Sequence, residues 1–214
     1  MRVDVWSDLV CPWCYLGKRR LEKALAAFPH REAVEVRFHA FQLDPTHARG
    51  VTLDTGEVLQ AKYRRTAGQV VEMQQNLERL AAADGLEYHL LGGRTGNTFD
   101  SHRVVKFASA RGLEGPVLER LFRAHFTERR SIFDAPGLTA LAAEAGLDAG
   151  EVGRALEAGA FSEEVEQDLR AAAELGIHGV PFFVLAGKYA VSGAQPTEVL
   201  LGALSTAWRE ADAS

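Results

Sequence analysis

Two cysteines stand at the junction between a strand-like and a helix-like segment near the start of the chain. The run Val3–Trp6 is β-rich, four residues interrupt it, and the tetrapeptide Cys11-Pro12-Trp13-Cys14 follows. Beyond the second cysteine the apolar residues take helical spacing, at Leu16, Leu21, Leu25 and Phe28. A CxxC pair that begins a helix directly after a strand is typical of redox-active cysteines.

This position makes the two cysteines chemically unequal. Cys11 precedes the first helical turn, where unpaired N–H groups and the positive end of the helix dipole favour an anion. Pro12 suits the first helical position, because its missing N–H costs nothing there. Since the thiolate is the species that attacks a disulfide, we expect Cys11 to attack and Cys14 to resolve the mixed disulfide. The alternative is two buried thiols or half of a zinc site.

The rest of the chain divides into three blocks by its hydrophobic pattern. Residues 34–41 alternate as a strand does, so residues 1–43 predict a β-α-β unit. A long helical block follows, with candidate helices at 55–65, 66–84, 99–111, 115–129, 135–145, 148–158 and 161–175. Strands at 180–185 and 189–192 predict a hairpin, followed by a helix at 197–210. We expect an α/β fold, with residues 1–43 and 178–214 in one domain and 44–177 in a helical insertion domain.

Composition limits the classes of function. The 214 residues are 47% hydrophobic and 25% charged, as in ordinary globular proteins. A net charge of -5 and the lack of a Lys/Arg-rich stripe argue against a nucleic-acid partner, and no apolar stretch is long enough for a membrane helix. The N-terminus lacks the features of a signal peptide, so we expect a cytoplasmic protein. His39 and His47 flank a turn, but without a third ligand at useful spacing they predict no metal site.

Pro181 begins the first strand of the predicted hairpin, where a proline normally disturbs the hydrogen-bond ladder. A cis peptide between Val180 and Pro181 would leave the Val180 backbone available to pair with an extended substrate beside the cysteines. The alternative is an ordinary trans proline at the first residue of a strand. The β-α-β … β-β-α order of elements favours the cis form.

Three motifs are similar to those of a known family. They are Asp8-x-x-Cys11-Pro12-Trp13-Cys14, Gly179-Val180-Pro181-x-Phe183 and Val191-Ser192-Gly193-Ala194-Gln195, with the long helical insertion between the first and the second. Together they resemble the DsbA family of thioredoxin-fold oxidoreductases, and within it the cytoplasmic FrnE-like branch, which includes polyketide-biosynthesis dithiol–disulfide isomerases. The resemblance covers essentially the whole chain. It implies a thioredoxin fold with a large all-helical insertion domain, Cys11 as the nucleophile, and Pro181 in cis against the disulfide.

The resemblance also brings in a segment of the insertion, Asn97-Thr98-x-x-Ser101-His102-Arg103. In this family such a segment heads a helix that faces the active site. The resemblance implies that Asn97 caps the helix or contacts substrate, and that His102 stabilises the thiolate or moves a proton. A packed histidine on a helix face is the alternative for His102. Trp13, between the cysteines, is expected to be partly exposed and to offer a substrate an apolar surface.

Related kappa-class glutathione transferases and 2-hydroxychromene-2-carboxylate isomerases share this architecture but have serine at the nucleophile position and lack the second cysteine. This chain has both Cys11 and Cys14, which counts against those activities. Gln195 lies in the loop where those relatives bind the glutathione carboxylate, so it holds glutathione or a peptide backbone, or serves only a turn.

We therefore expect a thiol–disulfide oxidoreductase or isomerase that acts on a protein or small-molecule thiol, without a metal or a tightly bound organic cofactor. Glutathione is a candidate co-substrate, and the chain is a monomer or a homodimer. The alternatives are a glutathione-dependent transferase or isomerase, and a non-enzymatic binding module.

Overall fold

The computed structural model describes residues 1–212 of the chain, which form six strands and nine α-helices. The strands are β1 (Arg2–Ser7), β2 (Glu35–Ala40), β3 (Thr52–Asp54), β4 (Arg94–Gly96), β5 (Phe182–Leu185) and β6 (Tyr189–Ser192). The helices are α1 (Pro12–Ala27), α2 (Thr55–Tyr63), α3 (Ala67–Ala83), α4 (Phe99–Ser109), α5 (Glu114–Phe126), α6 (Ala135–Glu144), α7 (Ala149–Glu157), α8 (Ser162–Glu174) and α9 (Thr197–Asp212). The chain divides into a first unit, residues 1–43 with the chain from 167 onward, and an insertion unit, residues 44–166.

The first unit is built on a four-stranded mixed sheet with the order β2-β1-β5-β6. Strand β1 pairs in parallel with β2 and antiparallel with β5, which in turn pairs antiparallel with β6. The central position suits β1, because every residue after Arg2 is buried. The β-α-β and β-β-α segments therefore form one sheet with its helices, which confirms the predicted α/β thioredoxin fold with a helical insertion.

Side chains along β1 alternate between two packed layers. Val3 and Val5 enter a core with Leu21 of α1 and with residues of α9. Trp6 points to the opposite face, where it packs with Ala172 of α8. The sheet is thus covered on both faces, and the C-terminal end of β1 leads directly into the cysteine pair.

The end of the insertion lies earlier in the structure than in the sequence division, because residues 167–177 belong to the first unit. Asp168 explains the difference. Its carboxylate accepts a hydrogen bond from Ala40 N–H at 2.7 Å and lies 2.8 Å from His39 Nδ1. Its carbonyl accepts from Trp6 Nε1 at 3.3 Å. The helical pattern of the sequence predicts that α8 forms. It does not predict to which unit the polar residues of α8 bind.

The insertion unit is helical except for a small antiparallel pair, β3 and β4, in which Thr52 lies opposite Gly96. The seven helices predicted between residues 55 and 175 are confirmed, each end within three residues of its predicted position. The strand pair was not predicted, since three residues are too few to show an alternating pattern. Gly96 permits the pairing, because a Cβ there would lie 2.7 Å from the Val51 carbonyl oxygen. Across residues 1–212, no helix has the length and apolarity needed to cross a membrane.

Candidate active site

The cysteine pair lies where β1 passes into α1. Cys11 is the N-cap residue of the helix, with extended backbone, and Pro12 begins the helix. Cys11 N–H donates to the Asp8 carbonyl at 3.0 Å, and Cys14 N–H donates to the Cys11 carbonyl at 2.9 Å. These bonds fix a tight turn into the helix. Cys11 therefore lies at the N-terminal end of a 16-residue helix, which is the positive end of the helix dipole.

Both cysteines are free thiols and are almost enclosed, with 3% of Cys11 and 2% of Cys14 exposed. Burial raises the pKa of the Cys14 thiol well above its usual value, and the neighbouring Cys11 adds to this effect. Asp8 N–H, which donates to Cys14 Sγ at 3.5 Å, lowers the pKa of the same thiol and only partly offsets the rise. Cys14 thus keeps its proton at neutral pH, which suits a resolving thiol rather than an attacking one.

The Val180–Pro181 peptide is cis, as the sequence analysis predicts. The Cys11 thiol donates to the Val180 carbonyl at 3.5 Å, so the proline loop and the cysteine pair are in direct contact. Strand β5 begins at Phe182, two residues later than predicted, and its first partner in β1 is Trp6. The Val180 main chain therefore lies beside the cysteines and outside the sheet ladder.

Gly17 of α1, which lies outside the sequence motifs, allows this contact. A Cβ at Gly17 would lie 2.7 Å from Pro181 Cγ and 3.3 Å from Phe183 Cζ. Only a residue without a side chain lets the first turns of α1 approach the proline this closely. The signal in the sequence is a glycine inside a helical pattern, which makes the helix less stable than alanine would.

Trp13 is the second residue of α1, and 44% of its surface is exposed although the cysteines on either side are buried. This agrees with the partly exposed position that the sequence predicts. An exposed indole next to an enclosed thiol pair provides apolar contact area with a hydrogen-bonding edge.

Gln195 lies in the loop after β6, close to the proline. Gly193 N–H donates to the Pro181 carbonyl at 2.8 Å, and Arg20 Nη1 donates to the Ala194 carbonyl at 2.6 Å. The Gln195 amide folds back and donates from Nε2 to the Ser192 carbonyl at 2.9 Å. This is the contact of a turn residue, and the binding of a glutathione or peptide backbone by Gln195 stays a prediction.

Asn97 and His102 belong to the insertion unit. Asn97 Oδ1 accepts from Phe99 N–H at 2.9 Å at the start of α4, and its Nδ2 donates to the His47 carbonyl at 2.7 Å. Asn97 thereby fixes the entry into α4 and ties it to the loop before β3. His102 is buried within α4. Their suggested roles towards substrate stay predictions.

Asp8 has a structural role that the sequence motif alone did not specify. Its buried carboxylate accepts from Leu43 N–H at 2.7 Å, while its own N–H reaches the Cys14 sulfur.

His39 has a carboxylate beside each of its ring nitrogens. Nδ1 lies 2.8 Å from Asp168 and Nε2 lies 2.8 Å from Asp4, so neither nitrogen is open to a metal ion. Over the described part of the chain, no group of three or more His, Cys, Asp or Glu residues is placed to hold a metal ion.

Comparison with known proteins gives consistent matches. A model of the DSBA-like thioredoxin domain matches residues 2–205. A probable DsbA oxidoreductase from Streptomyces coelicolor is 49% identical, with 98% of this chain and 91% of that chain covered and a TM-score of 0.94. The cytosolic disulfide reductase DsbM from Pseudomonas aeruginosa, in a structure with GSH, is 22% identical, with 98% and 100% covered and a TM-score of 0.63. The uncharacterized protein YwbO from Bacillus subtilis is 28% identical over 207 residues, which is 96% of each chain.

Proposed function

This chain belongs to the DSBA-like thioredoxin family, and from that premise we propose that it exchanges disulfides with a protein or small-molecule thiol through Cys11 and Cys14. The observation that carries the proposal is the asymmetry of the pair. Cys11 stands at a helix N-terminus, whereas burial keeps the Cys14 thiol protonated. One sulfur is thus prepared to attack and the other to act second.

The reaction has two displacements. The Cys11 thiolate attacks a substrate disulfide, that S–S bond breaks, and one substrate sulfur leaves as a thiolate. Cys14 then loses its proton and attacks the Cys11 sulfur of the mixed disulfide, which releases the second substrate sulfur. The pair ends oxidised and the substrate reduced. The same steps in reverse oxidise a substrate dithiol, and the reduction potential of the pair relative to its surroundings sets the direction.

We assign substrate positioning to the residues around the pair. The main chain of Val180, which lies outside the ladder, would pair with an extended segment of substrate, while Pro181 lines the approach. Trp13 would cover an apolar part of the substrate. His102 and Asn97 are assigned a contact with substrate on the strength of the family resemblance alone.

We propose that the redox centre is the cysteine pair itself, without a metal or a tightly bound organic cofactor. Glutathione is the proposed small-molecule co-substrate, with Gln195 as a contact, because a structure of the DsbM reductase contains GSH. We propose the cytoplasm as the site of action, since the DsbM reductase is described as cytosolic. The reduction potential, measured against glutathione, decides between reductase, isomerase and oxidase.

Cysteine substitutions test the proposal cleanly, because the chain has only two cysteines. Turnover of a disulfide-bonded peptide is measured with the parent protein, Cys11→Ser and Cys14→Ser. We expect Cys11→Ser to abolish turnover and Cys14→Ser to accumulate a mixed disulfide with the peptide, visible by mass spectrometry. Any trapped adduct of Cys14→Ser maps to Cys11.

Turnover of the disulfide-bonded peptide by Cys11→Ser would contradict the proposal. A glutathione-dependent isomerase or transferase would behave differently, because its activity would survive Cys14→Ser and would follow saturable glutathione binding.

A further inference from the structure

The last residue of β1 is a serine that ends a row of valines. Alternate side chains of a strand share one face, so Ser7 follows Val3 and Val5 on the face that packs against α1. Its main chain is held firmly, opposite Ala40 in β2 and with its carbonyl accepting from Phe41 N–H at 3.0 Å. A polar side chain therefore occupies the end of an apolar row, next to the beginning of α1.

The hydroxyl of Ser7 is buried, and the residue that follows it contacts the sulfur of Cys14. Ser7 is 4% exposed, and its Oγ has no hydrogen-bond partner among residues 1–212. A buried hydroxyl without a partner is costly, so its presence needs a reason. The next residue, Asp8, donates its N–H to Cys14 Sγ at 3.5 Å, and the Ser7 hydroxyl lowers the pKa of the same thiol. The Cys14 sulfur is thus the group that accounts for this buried hydroxyl.

We propose that Ser7 is a positioning residue for the resolving step, in which its hydroxyl donates a hydrogen bond to Cys14 Sγ as that sulfur becomes a thiolate. The proposal rests on the disulfide exchange proposed above and deepens it. A hydroxyl rotates and both donates and accepts, so the same group accommodates a neutral S–H and an anionic sulfur. Hydrogen bonds to an ionised partner are about twice as strong as neutral ones. With Asp8 N–H, the Cys14 thiolate then has two donors.

The step that this hydroxyl assists is the second displacement. Cys14 gives up its proton, and its sulfur attacks Cys11 Sγ in the mixed disulfide. The bond between Cys11 and the substrate sulfur breaks, and the substrate leaves as a thiolate that takes up a proton. Cys11 and Cys14 are oxidised to a disulfide and the substrate sulfur is reduced. Ser7 keeps its own proton throughout and acts by stabilising the anion on Cys14.

The titratable groups named around Cys14 lie in α1 and in the turn before it. Cys11, at the N-cap of α1, raises the pKa of the Cys14 thiol. The Asp8 carboxylate accepts from Leu43 N–H at 2.7 Å, and Lys18, one turn beyond Cys14, is paired with Glu22 at 2.5 Å. Ser7 Oγ bonds to none of them. Removal of the hydroxyl therefore changes the surroundings of Cys14 while those pairs keep their partners.

The test follows the two cysteines separately with DTNB and the reduced full-length protein. Attack by Cys11 releases the first nitrothiobenzoate, and resolution by Cys14 releases the second. At a DTNB concentration that makes the first step the faster one, the colour develops in two phases. For Ser7→Ala we expect an unchanged first phase and a second phase slowed about tenfold at neutral pH, because a hydrogen bond to a charged group is lost. The pH profile of the second phase should move to higher pH.

Ser7→Thr and Ser7→Val form a matched pair, since their side chains have nearly the same shape and only threonine has the hydroxyl. Ser7→Thr should keep the parental pH profile and Ser7→Val should shift it as Ser7→Ala does. Equal second-phase rates and pH profiles for the parent, Ser7→Ala and Ser7→Val would overturn the role of Ser7 but not the proposed disulfide exchange. A parent protein that releases only one equivalent of nitrothiobenzoate would overturn both this role and the proposed exchange.

Discussion

Cys14 is a thiol whose protonation is tied to the folded state. Burial raises its pKa well above the usual value, whereas in an unfolded chain the thiol ionises with an ordinary pKa of about 8.5. Above that range the unfolded state therefore binds fewer protons than the folded state. By linkage, the contribution of Cys14 to stability is complete below the ordinary pKa and is lost as pH rises towards the raised one.

The reduced protein should consequently lose stability with increasing alkalinity, at a slope of at most about 1.4 kcal/mol per pH unit from this one group. Urea unfolding at a series of pH values measures the slope. Cys14→Ser, which does not titrate, should show a smaller fall. An identical slope in the two proteins would mean that the thiol is not held protonated by the fold.

At Gly17 we expect the usual effect of a glycine-to-alanine substitution on helix stability to be reversed. Alanine in place of a helix-interior glycine normally stabilises by roughly 0.5–1 kcal/mol. At Gly17 the new Cβ would lie 2.7 Å from Pro181 Cγ, so we expect Gly17→Ala to destabilise by about 1–3 kcal/mol and to slow disulfide exchange. Gly202→Ala is the control, since nothing lies within 4 Å of a Cβ at this position in α9, and it should gain stability. Chemical denaturation that shows both variants stabilised would contradict the close contact.

At the scale of elements, α8 is joined to the sheet through a polar side chain. Asp168→Ala would remove the acceptor of Ala40 N–H and one of the two carboxylates beside His39. We expect a loss of about 2–4 kcal/mol in the free energy of unfolding, because buried partners are left unpaired. Glu164→Ala, at an exposed position of the same helix, should change it by less than about 0.5 kcal/mol. Equal small effects in urea titrations would show that α8 is held by apolar packing alone.

The elements also show what a sequence can reveal and why. Cys11, Cys14 and Pro181 were found because each lies at a strand boundary marked by its neighbours in the chain, and the helices because their apolar spacing is repeated over several turns. Gly17 and Asp168 matter through residues far away in sequence, and Ser7 matters through the burial of its hydroxyl, which a local pattern does not show. The strands β3 and β4 were missed because three residues do not establish a period.

At the scale of the whole molecule, the first unit is discontinuous. Its central strand β1 pairs with β2 nearby in the chain, but its other partner, β5, follows only after the insertion unit. The two segments of the first unit are therefore interdependent. The insertion unit, by contrast, is formed by one continuous stretch of chain, residues 44–166.

The separation of β1 from β5 has a consequence during synthesis of the chain. About 175 residues lie between the end of β1 and the start of β5, and ribosomes add roughly 5–20 residues per second. For roughly 10–35 s, then, the cysteines are outside the ribosome before the strand that completes their surroundings exists. Pulse alkylation of ribosome-bound chains should label both cysteines in this interval, whereas the finished protein protects Cys14. In newly made chains both thiols are thus briefly accessible to reagents, and this accessibility does not return once the protein has folded.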